Sequence, residues 1–217
     1  MHAAITARLR HQTVMKDATF DQVFPPSQRL RSCIHWTPVD VAVRAAVLLA
    51  PLPGRKVLDV GAGVGKLCLV GAATTSSTWF GIERDAEMVR SASAAASAMH
   101  VEQRTRFFLG DVTSVDWSAF DAFYLFNPFS EMRFEGLLSA TPEEAQARRV
   151  RHTATVEFVQ QQLLSAAAGT RVVTYHGFGG EMPAGFDLAH REPARGDELC
   201  LWIRRRSRRQ PAGHAVR

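Results

Sequence analysis

Short apolar runs alternate with stretches of helical periodicity along most of this chain, and the changes of rhythm fall at glycine, proline and asparagine. Residues 38–49 read as a helix, with Thr37 placed to cap it and Pro38 at its first position, and Pro51, Pro53 and Gly54 end it. Lys56-Val57-Leu58-Asp59-Val60 reads as a strand that breaks into Gly61-Ala62-Gly63-Val64-Gly65 and reopens as an apolar helix through residue 73. Further strands are predicted over 78–82, 105–109 and 122–126, with an alanine-rich helix over 85–100 between the first two. Asn127-Pro128 stops the last of these strands.

The second half is less regular. Residues 141–149 read as an exposed inserted helix and 153–167 as a separate long one, followed by a strand over 170–175 introduced by Gly169. Two closing strands, 186–190 and 198–204, flank a Pro-Ala-Arg-Gly turn, and a short helix is expected over 5–16. Repeated βα units ending in a hairpin predict an α/β fold with a doubly wound, mostly parallel, seven-stranded sheet. Such a Rossmann-like sheet would carry its antiparallel hairpin at the C-terminal end.

Composition narrows the class rather than changing it. The 217 residues suit one globular domain, and 46% apolar with 22% charged residues is ordinary for such a fold. The longest apolar stretch, 45–52, is far short of the ~20 residues needed to cross a bilayer, so a membrane partner is not expected. Cys33, Cys68 and Cys200 are widely spaced without a CxxC pair, which suggests neither zinc nor disulfides and favours a reducing, cytoplasmic setting; no metal is expected. The net charge of +5 rests on Arg204, Arg205, Arg206, Arg208, Arg209 and Arg217, all at or beyond the end of the last strand. A solvated basic tail over 205–217 accounts for it, and a nucleic-acid partner is not predicted.

Three glycine-loop chemistries compete for residues 59–66. A Walker loop needs GxxxxGK[ST], but Val60 stands five positions before Gly65 and Leu67 replaces the magnesium-binding hydroxyl. The dinucleotide fingerprint GxGxxG requires glycine where Lys66 stands, which argues against a nicotinamide enzyme. DxGxGxG is met at every position by Asp59, Gly61, Gly63 and Gly65, and it resembles the first motif of class I (seven-β-strand) S-adenosylmethionine-dependent methyltransferases.

That resemblance implies S-adenosylmethionine as cofactor and a methyl-transfer activity. It implies that Gly61, Ala62, Gly63 and Gly65 let main chain approach the amino acid end of the cofactor, with Asp59 meeting its ammonium and the next helix's amides its carboxylate. Glu83 closes a strand where this sheet presents an acceptor for ribose hydroxyls, with Arg84 following as a turn along the adenine. Phe107-Phe108-Leu109-Gly110-Asp111-Val112 resembles the family's adenine motif, making Asp111 and Val112 the expected base contacts.

Asn127-Pro128-Phe129 lies where the methyl is delivered and partly resembles the (N/D)PP(Y/F) motif of amino-group methyltransferases, with one proline instead of two. The glycine motif followed by Lys66, the Gly81-Ile82-Glu83 strand end and Asn127-x-Phe129 are loosely similar to the seven-strand lysine methyltransferases. In those, a proline-containing segment before the first strand folds over the cofactor, which implies a cofactor contact for Thr37 within His35-Trp36-Thr37-Pro38. The expected organisation is therefore 1–54 as a helical segment over the cofactor site, 55–204 as the methyltransferase domain and 205–217 as the tail. The acceptor is an amine, on a small molecule or a protein lysine, or a hydroxyl. A catalytically inactive cofactor-binding module is the alternative. His176 is the one evident general-base candidate, and Cys68, Trp117 and Phe134 read as packing residues.

Overall fold

A computed structural model describes residues 2–11, 13–30, 36–128 and 141–206. Among the described residues four α-helices precede the first strand: α1 (His2–Arg10), α2 (Asp17–Phe20), α3 (Pro26–Arg29) and α4 (Val39–Leu49). Then follow β1 (Lys56–Val60), α5 (Lys66–Thr74), β2 (Thr78–Glu83), α6 (Ala86–Ala98), β3 (Thr105–Leu109) and β4 (Ala122–Leu125). Then come α7 (Pro142–Leu164), β5 (Arg171–Tyr175), β6 (Phe186–Ala194) and β7 (Asp197–Arg204).

The seven strands form one sheet in the order β3-β2-β1-β4-β5-β7-β6. Strands β1 to β5 pair in parallel, whereas β7 runs antiparallel to both β5 and β6. Because β1 is followed by β2 on one side and has β4 on its other, the connections diverge at the carboxyl ends of β1 and β4. Open sheets of this kind bind ligands at that crevice.

Both sheet faces are covered, which is why β1 and β4 are apolar almost throughout rather than alternating. Val57, Ala122, Tyr124 and Val173 turn toward α1, α4, α5 and α6, in a core that also takes in Phe20, Phe24 and Trp36. Leu58, Val60, Phe123, Leu125 and Val172 turn the other way, onto Val156, Val159 and Leu163 of α7 and onto Trp117.

Three local expectations are corrected. The segments 141–149 and 153–167 form a single helix, α7, because the capping box of Thr141 and Glu144 starts it with Pro142 at the first turn, and nothing in the intervening Val150-Arg151-His152 breaks it. Only its second half is buried, so its first half lacks the apolar stripe that would have signalled continuity. The closing hairpin is longer than expected: its turn is the pair Arg195-Gly196, both with positive φ (46° and 89°), as a two-residue twisted hairpin turn requires. Pro193 is tolerated within β6 because that strand is the sheet edge. Finally, Thr37 does not cap α4; the carboxylate of Asp17 does, accepting from Val39 N at 2.7 Å.

Candidate functional site

The site grows from the end of β1. Asp59 lies between Gly81 of β2 and Tyr124 of β4 in the parallel register. Its side chain is only 5% exposed, and the Cys68 thiol contacts Oδ2 at 3.8 Å. Burial pushes its carboxyl up to about 7; the thiol contact opposes that shift and the nearby charge of Glu83 reinforces it. A carboxyl so placed gains from any cation that arrives beside it.

Beyond Asp59 the chain turns through Gly61, Gly63 and Gly65, all with positive φ. At Gly65 the requirement for glycine is double, since φ is +75° and a Cβ would sit 2.5 Å from the Phe107 ring. The turn is pinned by Gly61 N and Ala62 N, which both donate to Ile82 O at 3.0 Å, and by Gly65 N donating to Ala62 O at 2.8 Å. No side chain caps α5 at Gly65, so the helix opens beside the turn with its amides directed outward, a disposition that favours an anionic group.

Glu83 closes β2 and is tied to the same turn. Its Oε2 accepts from Gly63 N at 2.9 Å, while Oε1 accepts from Arg84 N at 2.7 Å and Asp85 N at 3.0 Å. Asp85 is engaged as the cap of α6, accepting from Glu87 N and Met88 N, and the Arg84 side chain is exposed. Gly110 N donates to Glu83 O at 2.9 Å, which brings the end of β3 beside that of β2. Asp111 there accepts from Thr113 N and Oγ1 at 2.9 and 2.8 Å and thereby caps a short 3-10 turn that starts at the buried Val112.

After β4, Asn127 adopts φ +37° and its N–H donates to Gly177 O at 2.8 Å, joining the loop after β4 to the loop after β5. Pro128 packs over the glycine turn so closely that a Cβ on Gly61 would lie 3.1 Å from its own. Phe129, like Cys33, His35 and Phe134, lies outside the described residues. Thr37 is buried, and its hydroxyl shares a 3.0 Å hydrogen bond with Tyr124 OH, next to Asp59 in the sheet. The geometry thus gathers Asp59, the glycines, Glu83, Asp111 and Asn127-Pro128 around one crevice, and links Thr37 to it through Tyr124.

Two arrangements have no counterpart in the sequence reading. Lys66, which opens α5, is 3% exposed and meets Asp17 at 2.6 Å and Asp21 at 2.7 Å, with its ammonium also 5.5 Å from the Phe20 ring centre. His176, directly after β5, is paired through Nδ1 with Asp197 of β7. Spacing along the chain carries no signal for either pair, because the partners come from distant elements.

Residues 57–143 match the family profile of a methyltransferase domain. In fold the chain is similar to an RNA methyltransferase from Salinibacter ruber, solved in complex with S-adenosyl-L-homocysteine, at 21% identity over 78% of this chain and 93% of that one, with a TM-score of 0.54. It is also similar to a protein from Klebsiella pneumoniae described as a candidate O-methyltransferase, at 13% identity over 94% and 97% of the two chains and a TM-score of 0.59. TrmN from Thermus thermophilus matches at 19% identity and a TM-score of 0.54 over 77% of this chain, which spans only 49% of TrmN. No curated protein matches the chain.

At such identities the structural likeness is one of fold. Sheet order and glycine turn give a Rossmann-like, seven-stranded methyltransferase fold, within which residues 57–143 are the matched methyltransferase domain. Among the described residues no helix is long and apolar enough to cross a membrane.

Proposed function

We propose that this protein is an S-adenosylmethionine-dependent methyltransferase acting on an amine, carried by a small molecule or a protein lysine, or on a hydroxyl. The observation that carries the reading is the pairing of two carboxylates with one glycine turn: Asp59 buried at its start, and Glu83 bonded to Gly63 N at its centre. S-adenosylmethionine bound there supplies a methyl group already activated by a sulfonium.

The residues fit that cofactor. Asp59 offers the buried counter-charge an ammonium needs, and the uncapped start of α5 suits a carboxylate. A carboxylate has about four acceptor sites, so Glu83 keeps capacity for one ribose hydroxyl beside its three main-chain bonds. Asp111 and Val112 complete the pocket for the adenine, and Arg84 flanks it. The Asn127 amide and the Pro128 carbonyl are acceptors for the incoming nitrogen or oxygen, and Thr37 closes the site from the N-terminal side. We assign residues 1–54 to the covering segment, 55–204 to the transfer domain and 205–217 to a basic tail.

Transfer in such a site is mainly alignment of the nucleophile with the methyl carbon and removal of water, because the leaving group needs no further activation. Calorimetric titration with S-adenosylmethionine, S-adenosylhomocysteine and NAD tests the reading. Micromolar binding of the first two alone is expected, and labelled methyl from the bound cofactor then identifies the acceptor. Binding without any transfer would identify an inactive cofactor-binding module instead.

A further inference from the structure

We infer that His176, held by Asp197, is the general base that takes the proton from the methyl acceptor; this rests on the transfer reading above. The pair comes from elements that converge at the carboxyl end of the sheet, His176 directly after β5 and Asp197 at the start of β7, where Tyr175 and Leu199 face each other across the ladder. Its position relative to the loop after β4 is fixed twice: the imidazole lies 5.4 Å from the Phe126 ring, and Asn127 N donates to Gly177 O at 2.8 Å. His176 is therefore a neighbour of the residues assigned to the acceptor.

The pairing also determines which nitrogen is available. Asp197 Oδ2 engages Nδ1, so the neutral imidazole carries its proton on Nδ1 and presents the lone pair of Nε2. The carboxylate also stabilises the imidazolium once a proton is taken. Side-chain exposures of 37% for His176 and 39% for Asp197 leave the pair a route to solvent for that proton. His176 holds φ at +57°, a conformation the polypeptide maintains only where the surroundings enforce it.

In the step itself the acceptor's lone pair forms the bond to the methyl carbon, and the carbon–sulfur bond breaks with its electron pair remaining on sulfur as a neutral thioether. The acceptor's proton passes to Nε2 of His176 and then to water. An acceptor that needs such a base is an ammonium, which must lose a proton to become nucleophilic, or a hydroxyl that sheds one as it is methylated.

The other charged groups around the pair are Asp40, Arg44 and Arg195, which with Asp197 surround Tyr175, whose ring centre is 4.2 Å from the imidazole. Asp59, near 7, can add its own acidic limb to a pH profile, so the limb has to be assigned by substitution.

The test measures the initial rate of labelled-methyl incorporation from S-adenosylmethionine into a total extract of proteins and small molecules, from pH 5.5 to 9, for the wild type, His176→Asn, Asp197→Asn and Asp197→Glu. Asparagine tolerates the positive φ at 176 but cannot take up a proton. Calorimetric titration with S-adenosylhomocysteine reports in parallel whether each variant keeps its fold and cofactor site. Expected is unchanged S-adenosylhomocysteine affinity in each variant, a loss of about 10²–10³-fold in rate for His176→Asn, and for Asp197→Asn, which no longer fixes the tautomer that presents Nε2, a smaller loss that Asp197→Glu restores. Wild-type rate and pH profile in His176→Asn would overturn the assignment while leaving the methyltransferase reading intact. A wild-type rate in Asp197→Asn would overturn the role of Asp197. Cofactor binding with no incorporation by the wild type would overturn the transfer reading, and this inference with it.

Discussion

Lys66 and Asp17 meet at 2.6 Å across 49 residues of sequence, and Asp21 closes on the same ammonium at 2.7 Å. Lys66 is the residue that opens α5 after the glycine turn, so this buried cluster fastens the N-terminal segment to the edge of the cofactor crevice. Burial alone would raise the carboxyl of Asp17, yet the hydrogen bond and charge of Lys66, with Val39 N and Arg195, hold it below its ordinary range.

Replacing that ammonium is therefore expected to be costly. Lys66→Met removes the ammonium that Asp17 and Asp21 share, and breaking a buried pair from one side costs on the order of 3–5 kcal/mol. A fall in melting temperature of roughly 10 °C is expected by calorimetry. Adding Asp17→Asn and Asp21→Asn to Lys66→Met should recover most of the loss, and no recovery would show that Lys66 contributes through packing alone.

Asp59 makes stability depend on pH in a direction opposite to Asp17. Its folded value of about 7 lies above the ~3.9 of an unfolded aspartate, so between these values the folded chain holds a proton that the unfolded chain has released. The contribution is complete below about pH 4 and is lost as pH rises toward 7. Asp59→Asn, which cannot ionise, is expected to gain on the wild type by on the order of 2–4 kcal/mol between pH 4 and pH 8 in denaturant titrations. A constant difference across that range would show that Asp59 is not buried as an acid.

Much of this fold is legible in the sequence because its signals are local. The spans of β1 and β3 follow directly from apolar runs bounded by glycine, proline and polar residues, and the glycine turn from its spacing. Where the signal is not local, the sequence misleads or is silent. The first half of α7 buries no residue and has no apolar stripe, so its continuity with the second half shows only in its cap. Thr37 stands just before a helix, as a capping residue would, yet Asp17 reaches the helix start from 22 residues away and leaves the threonine to Tyr124. Lys66 is visible as a departure from a dinucleotide fingerprint, but its burial depends on Asp17 and Asp21 arriving from another helix and turn.

Glu83 bridges structure and binding, because one of its oxygens orders the glycine turn through Gly63 N. Glu83→Ala removes this bond together with the acceptor proposed for the ribose. Hydrogen bonds to a charged group contribute about 1.5–3 kcal/mol each, so a loss of S-adenosylhomocysteine affinity of about 10–100-fold is expected by calorimetry. Glu83→Gln, which retains a carbonyl oxygen, should lie between the two. Wild-type affinity in Glu83→Ala would remove the ribose assignment.

The hydroxyls of Thr37 and Tyr124 offer the most direct test of how the N-terminal segment is joined to the sheet. Both are buried, their oxygens are 3.0 Å apart, and burial pushes the Tyr124 phenol well above its ordinary value, so it remains a neutral donor or acceptor. Removing either hydroxyl leaves the other without this partner, at a cost of about 1–3 kcal/mol, whereas removing both eliminates the orphan along with the bond. Thr37→Val and Tyr124→Phe should therefore each destabilise the chain, and the double variant should lose less than their sum by about 1 kcal/mol. Strict additivity would mean that the two hydroxyls do not act as a unit, and the segment's attachment would then rest on the Lys66 cluster and on apolar packing.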